Sequence, residues 1–254
     1  MVTKDLFSKL TEECIEFVNS TDFNNFFDEN HKPLNNKKDK VKLSIMHTTL
    51  TNQGYGDLLN EILPNYKADK IDYRYFEKIQ EFIFKNIKLY VKNSDDDKLV
   101  KCFHAIQFWG GKMGKSIYVM SDGFNSNFDI KDYKRLFSLC EEPDKVEIIK
   151  YCKENRKIKY FGPAIITKHI KFFTKYLHGN KNPKLILPIF DTEICNSMFG
   201  SKTLVSYISH YYEYLPRLCE IKKCTPELME NVFLESNPTN IISSSFPIGP
   251  VADS

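Results

Sequence analysis

Apolar positions recur at intervals of three and four along most of the chain, the repeat that places them on one face of an α-helix. Over residues 4–18 the positions Leu6, Leu10, Cys14, Phe17 and Val18 share a stripe, and over 73–91 Phe76, Ile79, Ile83, Ile87 and Tyr90 do the same. Both segments are expected to be amphipathic helices. Shorter helices are expected at 132–140 and at 143–152, with Pro143 in a first turn, where no backbone N–H is needed. Further helices are expected at 203–215 and 225–235, the latter opening Thr225-Pro226-Glu227 with Thr as N-cap and Pro at the first helical position. Polar stretches at 28–40, with Pro33, and at 93–97 break the pattern and are the places where lobes would divide. The apolar run 99–108 is ambiguous in type; it leads into Trp109-Gly110-Gly111-Lys112-Met113-Gly114-Lys115-Ser116. The Ser- and Pro-rich stretch 238–254 has no period and reads as a flexible tail. No internal repeat occurs. The fold expected is mainly α, a single two-lobed helical domain over 1–237.

Composition changes little in this picture until charge is read locally. Across 254 residues the formal net charge is only +3. Between residues 150 and 191, however, ten lysines and arginines stand against Glu154 and Asp191, which leaves that segment at +8 and the rest of the chain at about −5. Such a localised positive field concentrates polyanions. The seven cysteines are odd in number and irregularly spaced, without a CxxC pair and without a signal peptide at the N-terminus, which reads as a reducing, intracellular compartment. No zinc or iron-sulfur site is expected, no cofactor, and no membrane span, because no apolar run is long enough. His104, His169 and His210 read as core or surface histidines and not as metal ligands.

Chemistry concentrates in 161–199. Phe161-Gly162-Pro163-Ala164-Ile165-Ile166-Thr167-Lys168 starts with a residue able to turn sharply, then a proline suited to open a helix. Along that helix Ile166, Ile170, Phe173 and Leu177 form one stripe, and Lys168, Lys171 and Lys175 line another that can face an anion. A helix start offers unpaired N–H groups and a positive dipole end to phosphate. The same potential, with partial burial and Lys171 nearby, would lower the pKa of Lys168 and favour the free amine that a nucleophile requires. Alone, Lys168 reads as one more surface lysine. The partner is Asp191, which the apolar run 185–190 delivers to the start of the next helix, 192–199. A cap is the commonest use of such an aspartate, and capping is compatible with chemistry.

The order Gly-Pro-Ala-x-x-Thr-Lys, an amphipathic helix, then Pro-x-x-Asp at a helix start resembles the helix-hairpin-helix DNA glycosylases, within them the lysine-containing 8-oxoguanine DNA glycosylase branch and its small bacterial members. The likeness covers 161–199, with fainter similarity back to Phe108-Trp109-Gly110 and forward to Thr225-Pro226-Glu227. It implies a two-lobed helical glycosylase architecture with the helix-hairpin-helix at about 150–200. It also implies that the Lys168 amine attacks the sugar C1′, expels the base and forms a Schiff base that can go on to cleave the strand. Asp191 would stabilise the developing positive charge and help activate the lysine. Gly162, Ala164, Thr167 and Lys171 would hold DNA phosphate, and Phe108 and Trp109 would wall a pocket for a flipped base. The implied partner is double-stranded DNA carrying a damaged or modified base, the latter including modifications of viral DNA. The protein would act as a monomer, in the cytoplasm of a bacterium or the nucleus of a eukaryote. The sequence departs from the family in Gly162-Pro163-Ala164, where a Gly-x-Gly hairpin is usual, and in a long interval between lysine and aspartate. Lys175, in a second Thr-Lys pair, is therefore a rival nucleophile.

Two other readings remain open on the residues. A DNA-binding module without catalysis would use the same basic helix, with Asp191 only a cap. Trp109–Ser116 nearly satisfies the phosphate-loop pattern of nucleotide triphosphatases, with Gly114-Lys115-Ser116 in place and Trp109 where the first glycine belongs.

Overall fold

Polar side chains cap the starts of several helices, such as Thr11, Asp129 and Asp191, in the computed structural model, which describes residues 1–23, 43–64, 74–109, 118–154 and 158–236. In chain order these hold α1 (Glu12–Ser20), α2 (Leu43–Asn52), α3 (Leu58–Ile62), α4 (Arg74–Asn93), α5 (Asp96–Trp109), α6 (Phe124–Asn127), α7 (Ile130–Ser138), α8 (Lys145–Glu154), α9 (Pro163–His178), α10 (Thr192–Phe199), α11 (Leu204–Lys222) and α12 (Pro226–Ser236). A π-helical turn covers Val119–Gly123 and a 3₁₀ turn Pro183–Leu185. The protein is mainly α, with no strand among the described residues. The stretches 28–40, 110–117 and 238–254 lie outside the described residues wholly or in their greater part, so the loop and tail expected there are not addressed.

Several expected boundaries move, each for a local reason. The 4–18 helix starts only at Glu12, because Thr11 Oγ1 accepts the Cys14 N–H and Glu12 and Glu13 favour a first turn there. Phe7 and Leu10 still pack into the core, from irregular turns, while Leu6 is exposed. Pro143 stands just outside α8, whose start is capped by Asp144 through the Val146 N–H at 2.8 Å. The ambiguous run 99–108 is helix. The helix expected to stop at 215 continues through Pro216 to Lys222, since Leu218 and Cys219 extend the buried face of Ile208, Tyr211, Tyr212 and Leu215. Packing along that face outweighs the N–H that Pro216 withholds.

The chain falls into two compact units, Asn36–Ile189 and the pair of segments Met1–Asn35 and Phe190–Ser254. In the first, α4 and α5 form a tight antiparallel pair, turned at Ser94 with φ 54° and restarted by Asp95, which accepts the Asp97 N–H. The polar break at 93–97 is thus a helix hairpin inside one unit. α9 packs on this pair and on α7 and α8. Phe103 is the hub of the core there, with Phe128, Tyr133, Phe161 and His169 rings within 6 Å of its own. In the second unit α10 packs on α1, α11 and α12. Thr11 N–H donates to Met198 O, and Phe190 stacks on Tyr211 at 4.6 Å.

Candidate functional site

The turn before α9 is built at Tyr160. Its φ of 64° is the left-handed conformation, Phe161 N–H donates to Ile158 O, and Gly162 N–H donates to Tyr160 O. Gly162 itself is extended at φ −88°, so the sharp turn expected of it is made two residues earlier by a tyrosine. The turn is braced from behind. A Cβ on Gly123 would lie 2.6 Å from Lys159 O, so the π-helical turn abuts the 158–160 backbone and only glycine fits. Tyr118 lies against Tyr160 at 5.7 Å and the Lys159 ammonium over the Tyr160 ring at 5.1 Å. By contrast, a Cβ on Gly162 would meet nothing within 4 Å. The chain at the helix start is open to an approaching group.

α9 then begins with Gly162 as N-cap and Pro163 in the first turn, as expected from the sequence, and Gly162 brings no side chain to cap it. Ile165 and Ile166 N–H both donate to Gly162 O. The helix is buried far more completely than a two-stripe pattern implies. Ile166, Ile170 and Phe173 face the core, but so do Thr167, His169, Phe172 and Thr174, while Leu177 is only partly covered. Lys171 is 8% exposed, with its ammonium 5.9 Å from the centre of the Trp109 ring, where a cation is attracted to the π face. Lys168 and Lys175 are half-buried. They stand seven residues apart, two turns along nearly the same face. Lys175 lies in the last turn, where the helix dipole favours the ammonium; Lys168 lies nearer the positive end.

Beside Lys168, a polar network missed in the sequence crosses the core. Gln107 Nε2 donates to His169 Nε2 at 2.6 Å, which leaves Nδ1–H to donate to Tyr133 Oη, also at 2.6 Å. Burial, with the charge of Lys168 second, holds the His169 pKa well below its usual value. A neutral imidazole thus ties α9 to α5 and α7 immediately behind the candidate nucleophile. Only the hydrophobic surroundings of His169 in three dimensions reveal this. A second buried pair, Tyr151 Oη donating to Asp132 Oδ2 at 2.9 Å, joins α8 to α7.

Thr174 carries the chain onward. Its Oγ1 donates to Ile170 O and accepts the Leu187 N–H at 3.1 Å, which holds the apolar run along α9. Asp191 follows and caps α10, its Oδ1 accepting from Glu193 and Ile194 N–H at 2.9 and 3.0 Å. The carboxylate is half-exposed. Its charge, after burial, contributes to pushing the Cys195 thiol up to about 12.

Gly162, Ala164, Thr167, Lys168, Lys171, Lys175, Phe108 and Trp109 all belong to the unit Asn36–Ile189, and Asp191 belongs to the other. Thr167 is buried, its hydroxyl toward Ala164 O at 3.4 Å, and Phe108 is 1% exposed among core side chains. Neither offers surface to a ligand in this conformation. Trp109 is partly exposed and meets Phe172 edge-on at 4.9 Å. The phosphate-loop reading loses its context, because Trp109 ends an α-helix and not a strand. Among the described residues no group of His, Cys, Asp and Glu is placed to hold a metal, and no helix is long and apolar enough to cross a membrane. The chain matches no family model, no curated protein and no solved structure.

Proposed function

We propose that the chain is a DNA glycosylase that removes a damaged or modified base from double-stranded DNA, with Lys168 as nucleophile and Asp191 as the charge-stabilising carboxylate. The Lys168 nitrogen forms a bond to C1′ as the C1′–N bond to the base breaks. The base leaves with that electron pair and takes up a proton. Loss of a proton from the attached nitrogen and opening of the sugar ring give a Schiff base, which water hydrolyses or from which the 3′ phosphate is eliminated. The observation that carries this reading is the setting of Lys168: half-buried in the positive half of a helix, behind an uncapped, open start, with the helix fixed by His169. Borohydride trapping on duplexes containing oxidised bases, modified pyrimidines or abasic sites tests it. A covalent protein–DNA adduct is expected, lost in Lys168→Gln and retained in Lys175→Gln. Adduct formation by Lys168→Gln and not by Lys175→Gln would transfer the role to Lys175.

A DNA-binding module without catalysis is the second reading, and the cap made by Asp191 supports it, since two amide hydrogen bonds already explain that carboxylate. Binding to duplex DNA that weakens steeply with salt, with no trapping on any of these substrates, would decide for it.

A further inference from the structure

The C-terminus of α11 brings two thiols together. Lys223 takes the left-handed conformation at φ 53°, Cys224 N–H donates to Cys219 O at 3.0 Å, and Lys223 N–H donates to Glu220 O at 3.3 Å. These are the six-to-one and five-to-two bonds of a Schellman motif, which sets the side chain three positions before the cap against the one two positions after it. In most proteins that contact is hydrophobic; here both partners are cysteines. Of the seven cysteines, all of them described, six are buried and Cys224 alone is partly open. It lines an open cavity of about 430 Å³ together with Thr21, Asp22, Lys222 and Lys223.

We propose that Cys219 and Cys224 are an oxidisable dithiol which a hydroperoxide converts to an intramolecular disulfide across the end of α11. In the first step the Cys224 sulfur bonds to the distal peroxide oxygen as the O–O bond breaks. The alcohol, or water from hydrogen peroxide, leaves with a proton, and Cys224 becomes a sulfenic acid. The Cys219 sulfur then attacks the Cys224 sulfur; the S–O bond breaks, and the hydroxide leaves as water with the Cys219 proton. Two thiols lose two electrons and two protons in all, and the peroxide is reduced. The chemistry of the pair fits this order. The neighbouring Cys219 thiol, with Lys222, lowers the Cys224 pKa against the opposing effect of burial, while Cys224 and burial raise that of Cys219. The other five thiols are pushed up by burial.

Trypsin offers a direct readout, because it cuts after Arg217, Lys222 and Lys223 and so places the two cysteines on separate peptides. The full chain is treated with a few equivalents of hydrogen peroxide, alkylated, digested without reductant and measured by mass spectrometry. The peptide 218–222 should appear joined to the peptide beginning at Cys224, two hydrogens lighter than the sum, and dithiothreitol should separate them. In Cys219→Ser the Cys224 sulfenic acid should persist and be labelled by dimedone, which it escapes in the parent. A circular dichroism spectrum before oxidation shows that the variant is folded. Persistent dimedone labelling or over-oxidation of Cys224 in the parent, with Cys219 still alkylated, would overturn the proposal. So would an unchanged chain under conditions that consume glutathione.

Discussion

The starts of α9 and α10 solve the same physical problem in opposite ways. Each has a positive dipole end to be satisfied, although at α9 Pro163 has no N–H and the Ile165 and Ile166 N–H groups already donate to Gly162 O. At α10 the Asp191 carboxylate occupies that position and cancels the field with its own charge. At α9 the cap is Gly162, which brings no side chain and no charge, and the space a Cβ would fill is empty. One start is closed on itself. The other keeps its potential for something that arrives, and the candidate lysine is on that helix. The difference shows why a carboxylate at a helix start is weak evidence for chemistry, whereas an uncapped start stabilised from behind by Gly123, Tyr160 and His169 calls for a reason.

The comparison extends to acid. The unit carrying the open start holds two buried histidines, and burial pushes His104 down to about 3, its ring nitrogens having no partner among Tyr55, Phe103 and Phe124. Its folded pKa lies below the unfolded value near 6.5, so the unfolded chain binds the extra proton between those two values. The stability that the neutral ring represents is complete above pH 6.5 and is lost as pH falls toward 3, on the order of 4 kcal/mol for His104, with His169 acting in the same direction. Amide exchange at pH 5 should therefore accelerate first in Asn36–Ile189, and His104→Leu should reduce the effect. Equal acceleration in both units would remove this contrast.

Asp191→Asn separates the two uses of the closed start. Asparagine caps a helix about as well as aspartate, so the midpoint of unfolding should barely move, while base removal should fall by about 10²–10³-fold if the charge stabilises the transition state. Asp191→Ala should add a loss of about 1 kcal/mol in stability. An Asn variant with parental activity would leave Asp191 as a cap only. The brace of the open start is tested by Gly123→Ala, whose methyl group would collide with Lys159 O, backbone that cannot yield cheaply. A cost of about 1–3 kcal/mol is expected in thermal or denaturant unfolding.

How far the sequence reveals these features depends on the range of the interaction. Caps at Asp191 and Thr225 depend on neighbours within three residues, and the helices of 73–91, 132–140 and 225–235 appear within a few residues of where periodicity puts them. The start of α9 at Pro163 is legible for the same reason. The cap at Thr11, by contrast, is hidden by an apolar stripe that runs on through irregular turns. Lys171 was expected on an open face, and nothing local reveals that Trp109, sixty-two positions earlier, lies under its ammonium. Likewise the bonds of His169 come from Gln107 and Tyr133, and the turn that puts Tyr160 in the left-handed region is backed by Gly123, remote in sequence, against the Lys159 carbonyl. Side chains that meet across the core carry no periodic signal. The split that puts Lys168 and Asp191 in different units is of this kind too, since the intervening run 186–190 is apolar throughout and marks no boundary.

A small expected effect on stability bears most directly on the open start. Gly162→Ala adds a methyl group that meets nothing within 4 Å beyond its neighbours along the chain, at a φ of −88° that alanine adopts freely. Alanine is a poorer N-cap than glycine, so a loss below about 1 kcal/mol is expected, and no collision adds to it. The same methyl group would stand between the α9 backbone and a phosphate seated on the Ala164 N–H, which requires contact near 2.9 Å; the Gly162, Ile165 and Ile166 N–H groups already donate within the chain. If DNA uses this start, affinity for duplex should fall by about tenfold while the salt dependence stays nearly parental, because no lysine is removed. Gly162→Ser should lose the same contact yet recover helix stability by capping, so the two variants should bind alike and melt differently. Parental affinity in both would mean that the opening at Gly162 is unused, and that DNA, if it binds, is held by the lysines alone.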